Sequence, residues 1–69
     1  MAQHLPYSPL TLTALVERAQ AADGKLAVAA AAMVREDGGW DVPYWRREIT
    51  KLVQESDAWW SAAKARIAA

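Results

Sequence analysis

Four of the 69 residues are tryptophan, Trp40, Trp45, Trp59 and Trp60, all in the C-terminal half, while the chain has no phenylalanine and no cysteine. An indole carries a large rigid apolar face and a single N–H donor that needs an acceptor when buried. So many of them on so short a chain must serve a core or a contact surface. The segment that holds them is therefore expected to be the working part of the molecule.

The length sharpens that expectation. A chain of 69 residues has room for one domain, and at this size folding buries only roughly 60% of the unfolded surface. Small folds make up the shortfall with disulfides, a structural metal or another subunit. The absence of cysteine removes the first and, with His4 as the single histidine, most of the second. Association with a second polypeptide remains, and a homo-oligomer or a complex with a larger protein is expected.

Charge narrows the class of partner. Lys and Arg total 8, Asp and Glu total 8, so no overall field draws the chain toward a polyanion. The stretch Met1 to Leu10 contains no Lys or Arg and no apolar segment of signal-peptide type. The longest apolar run, from Leu26 to Val34, falls far short of the roughly 20 residues needed to span a bilayer. No membrane association is expected, and a cytoplasmic location follows by default.

The pattern along the chain predicts an all-α fold of three helices. Residues 1–7, with Pro6, are expected to be an arm without fixed structure. Ser8 and Pro9 form a helix-start signal, since a serine oxygen can accept from an orphan amide and proline suits the first helical position. A first helix over about 9–22 then places Leu12, Leu15, Val16, Ala19 and Ala22 on one stripe. Asp23 and Gly24 are read as its stop. A second helix over about 25–36 is alanine-rich and of high intrinsic propensity. The alternative for this stretch is an α+β arrangement, with a short hairpin around Gly38 and Gly39, although consecutive alanines are poor strand formers. After the Asp37-Gly38-Gly39 break, Asp41 is a candidate cap and Pro43 fits a first turn. The third helix, over about 42–67, would be roughly 38 Å long, with Ser56 and Asp57 as a point where it could bend.

Two candidate surfaces lie on this third helix. One is an apolar and aromatic face comprising Trp45, Ile49, Leu52, Val53, Trp59, Trp60 and Ile67, of the kind that anchors protein interfaces. Adjacent helical residues point about 100° apart, so Trp59 and Trp60 cannot both face one narrow seam. The other is Arg46, Arg47 and Lys51, which after a glycine turn resemble the start of a recognition helix and would give a DNA-binding regulator. Glu36, Asp37 and Asp41 beside them would repel phosphate. Near the helix end, Lys64 and Arg66 suit the dipole, and Lys64 lies one turn from Trp60.

For catalysis the inventory is thin. There is no cysteine nucleophile, no histidine among carboxylates, and no glycine-rich phosphate loop. Asp37 and Asp41 around two glycines read as turn chemistry rather than a calcium loop. The expectation is a non-enzymatic interaction module without a cofactor, metal or small-molecule substrate.

Overall fold

The computed structural model describes residues 10–68, which form two long helices joined by a short, tightly bonded connection. Helix α1 spans Leu12–Arg35, a 3₁₀ turn spans Gly39–Asp41, and helix α2 spans Pro43–Ala68. No strand occurs among the described residues, so the α+β alternative is not adopted. The expected arm and the Ser8-Pro9 start lie outside the described residues. The observed start is Thr11, whose extended backbone and side-chain oxygen, accepting from the Ala14 amide at 3.1 Å, make it the N-cap of α1.

The main departure from expectation is that the first two predicted helices are one. Asp23 and Gly24 were expected to end a helix, yet α1 runs through both for 24 residues. Two physical reasons account for this. Isolated Asp disfavours helix interiors because its carboxylate competes for nearby backbone amides. Here the Asp23 carboxylate is instead occupied by donors from α2, Ser56 and Trp60. Gly24 costs the helix about 1 kcal/mol relative to alanine, but the alanines on either side are the best helix formers available. Continuing a helix adds one bond per residue, whereas restarting it requires a new nucleus.

The connection shows why the helix does end at Arg35. Glu36 leaves helical geometry, and its amide donates to the Met33 carbonyl at 3.1 Å. Gly38 and Gly39 then take φ of 87° and 46°, the left-handed region that costs a side-chain-bearing residue about 1–2 kcal/mol. The amides of Gly39, Asp41 and Val42 donate in turn to the carbonyls of Glu36, Gly38 and Gly39, at 2.8–3.1 Å. The residue before α2 is Val42, one position beyond the expected Asp41 cap. Its carbonyl accepts from the Trp45 and Arg46 amides, while Pro43 takes the first helical position.

The helices run antiparallel, since Asp23 meets Ser56 and Trp60, Lys25 approaches Glu55, and Glu36 meets Trp45. Their facing positions follow alternating steps of three and four. These are Leu12, Leu15, Ala19, Ala22, Leu26, Ala29 and Met33 on α1, and Trp45, Ile49, Leu52, Ser56, Trp59 and Ala63 on α2. Where Ala19, Ala22, Ser56 and Ala63 face the partner helix, all four are buried, as small side chains allow backbones to approach. Among the described residues, Leu15 is the largest side chain fully buried. Toward the turn, Leu26, Met33, Ile49 and Leu52 are only half-buried.

Glycine substitutions separate these roles. A Cβ added at Gly24 meets no atom within 4 Å, whereas one at Gly38 would stand 3.3 Å from a Val42 methyl at positive φ. Gly24→Ala is expected to raise stability by up to about 1 kcal/mol and Gly38→Ala to lower it by about 1–2 kcal/mol. Melts followed by circular dichroism at one fixed protein concentration should show shifts of opposite sign, roughly 4–8 °C per kcal/mol.

Candidate interaction surface

The seven apolar residues singled out on α2 fall into two sets. Trp45, Ile49, Leu52 and Trp59 occupy seam positions facing α1, and each is half-buried. Val53, Trp60 and Ile67 recur every seven residues along one flank of the hairpin. Val53 is 39% and Ile67 69% exposed, with Trp60 half-buried between them. The structure thus divides the two adjacent indoles between two surfaces, as the helical angle requires.

Each seam or flank indole has a specific polar or cationic partner. Trp45 Nε1 donates to Glu36 Oε1 at 2.6 Å, tying the start of α2 to the end of α1, and Tyr44 stands edge-on to Trp45 with centroids 4.9 Å apart. The guanidinium of Arg18 lies 5.4 Å from the Trp59 ring centroid, a cation–π contact between helices. Lys64, one turn from Trp60, is exposed. Trp60 Nε1 donates to Asp23 Oδ2 at 2.9 Å, and Ser56 Oγ donates to the other oxygen of the same carboxylate.

That last group was not anticipated. Ser56 was read as a bend and Asp23 as a stop, but together with Trp60 they form a polar knot across the helix interface. Its signal in the sequence is the unbroken three-four spacing of Leu15, Ala19, Ala22, Leu26, Ala29 and Met33. The pattern stays in phase across Asp23 and Gly24, as it can only on a continuous helix. The hydrogen bond from Ser56, then that from Trp60, hold the Asp23 carboxyl below its ordinary value of 3.8, with partial burial opposing them.

The basic residues Arg46, Arg47 and Lys51 line a shallow open depression on α2 together with Thr50 and Gln54. Arg46 is engaged with the turn: its Nε donates to the Trp40 carbonyl at 2.7 Å and its Nη2 lies 3.4 Å from Asp41 Oδ1. Lys51 pairs with Glu48 at 3.5 Å. At the turn, Trp40 and Tyr44 are each about half exposed. Among the described residues there is no grouping of three His, Asp or Glu able to hold a metal ion, and no helix is long and apolar enough to cross a membrane. Comparison of the chain with protein-family models, with curated proteins and with solved structures finds no match.

The Asp23 knot makes a signed prediction for pH. Its folded-state pKa lies below the unfolded value, so its contribution is fully present above about pH 4 and is lost as pH falls through the lowered value. The hairpin is expected to lose melting temperature on acidification below pH 4. Asp23→Asn should be less stable than the parent at pH 7, and its melting temperature should fall less between pH 5 and 2.5. Parallel slopes for the two proteins over that range would contradict the assignment.

Proposed function

We propose that this chain is a non-enzymatic helical hairpin that works by docking its apolar flank on another polypeptide. The observation that supports the reading most directly is an imbalance of burial. Among the described residues, one large side chain is fully enclosed, while Val28, Val34, Trp40, Tyr44, Val53 and Ile67 are all more than a third exposed. Two helices have one shared seam, so neither can cover the other's flank. An amphipathic hairpin of this kind reaches ordinary core burial only when a further helix or surface lies against it.

The composition supports the same reading. Fully burying Leu15 is worth about 1.5–3 kcal/mol, and the buried alanines add little side-chain area. Local alanine propensity favours helix but does not fix tertiary structure. Tryptophans pinned by Glu36 and Asp23 supply rigid aromatic surface at low entropic cost, the feature typical of interface anchors.

The competing reading, a DNA-binding regulator using Arg46, Arg47 and Lys51, has less in its favour. Arg46 and Lys51 already have carboxylate neighbours, Asp41 and Glu48. The antiparallel seam also places α2 alongside α1 over its length instead of projecting it as a separate reading head.

The test is the stability of the isolated chain. If its flank needs a partner, the lone monomer should be weakly folded, with a shallow, poorly cooperative melt. Any gain in melting temperature should require either a higher protein concentration or a bound protein. A monomer that melts cooperatively at nanomolar concentration, at an ordinary mesophilic temperature of about 45–65 °C, would refute the reading.

A further inference from the structure

We propose that the occupant of the flank is a second copy of this chain. It would dock antiparallel about a two-fold axis at Trp60, with Asp57 of each copy against Lys64 of the other. This rests on reading the hairpin as an interaction module, and it adds the partner and the geometry.

The first argument is the symmetry of the flank. Val53 and Ile67 lie seven residues before and seven after Trp60. An isologous contact requires a patch complementary to itself under two-fold rotation. Reversing α2 about Trp60 sets Val53 against Ile67 of the other copy, Trp60 against Trp60, and Ile67 against Val53. All three meetings are apolar.

Charge gives the second argument and selects the orientation. Asp57 lies three residues before Trp60 and Lys64 four after, both exposed on the outer edge of the same flank. Antiparallel pairing about Trp60 brings each aspartate beside the other copy's lysine, twice per dimer. Swapping the helices, so that α2 faces α1 of the other copy with the turns at one end, would bring Asp57 near Asp23 instead. That arrangement confronts two carboxylates. On the α1 side of the flank, Thr13, Val16, Gln20, Ala27 and Ala30 carry no charge, while Asp23, level with Trp60 and so near its own copy across the axis, has both carboxylate oxygens occupied by Ser56 and Trp60.

The area is adequate. Centred on Trp60, the two hairpins overlap along residues 52–68, about 25 Å of helix. The hairpin measures 50 × 21 × 16 Å, so with its 21 Å width the overlap gives on the order of 500 Å² per copy, about 1,000 Å² in all. That is about the size a specific interface needs to clear. Trp60 is already held by Asp23 of its own chain, so its ordering cost is met before the partner arrives.

Sedimentation of the full chain over a hundredfold concentration range tests this, with circular dichroism as a control on helix content. The wild type is expected to pass from the 7.6 kDa monomer to twice that mass. Ile67→Glu should weaken association by more than about tenfold. Asp57→Lys and Lys64→Glu alone should each weaken it roughly three- to tenfold, and the two together should restore it. A dimer indifferent to all of these substitutions would overturn the proposed geometry while leaving the interaction reading in place. A weakly folded chain that stays monomeric would overturn self-docking and leave a different polypeptide as the partner. A cooperatively folded monomer would overturn both.

Discussion

The Asp23 carboxylate receives two donors from the facing helix, Ser56 Oγ and Trp60 Nε1, and much of the architecture depends on that meeting. Without it, an aspartate followed by a glycine would sit unsupported in the middle of α1, where each disfavours helix. With it, the side chain most able to disrupt the backbone is turned outward to a partner 33 and 37 residues away. The same contact fixes the sliding register of the two helices. Alanine against alanine is nearly indifferent to displacement along the seam, whereas a carboxylate bonded to one serine and one indole is not.

Register and closeness are thus supplied by different residues. Ala19, Ala22 and Ala63 bring the helices near each other, and Asp23, Ser56 and Trp60 state where along their length they meet. At the turn, a second set of bonds fastens the connection, from Trp45 to Glu36 and from Arg46 to the Trp40 carbonyl. The middle of the seam and its turn end therefore both use a tryptophan N–H of α2 donating to an acid across the hairpin. Trp45 and Trp60 are thus each anchored by the indole nitrogen within the chain, and their apolar faces are left for packing.

How far this was legible depends on the range of the interaction concerned. The third predicted helix and the glycine break were readable because their causes are local: Pro43 at the first turn, left-handed Gly38 and Gly39, and an apolar pattern of helical period. The division at Asp23-Gly24 was misread because a local rule was applied where a distant partner decides. The bend held open at Ser56 and Asp57 rested on a local rule of the same kind, and α2 runs through both. The correcting sign was the phase of the stripe from Leu15 to Met33, which a true stop and restart would have shifted. On the candidate surface, the sequence singles out seven apolar residues of α2 without dividing them. Which of them face α1 and which form the flank became visible only once the seam was placed by Asp23 and Ser56.

Merging the first two helices changes what the surplus apolar surface implies. In a three-helix domain the middle helix could cover one flank of the third, and the tryptophan face would be partly spent inside the molecule. In a hairpin no third long helix exists among the described residues, so Val53 and Ile67 stay open along α2 with Trp60 half-buried between them. The continuity of α1 is thus what leaves the flank uncovered. Since that continuity is supported by Asp23 bonding Trp60, one contact both holds the pair together and sets the anchor at the centre of the face left open. Folding of the hairpin and the placing of its open flank are therefore coupled through a single carboxylate.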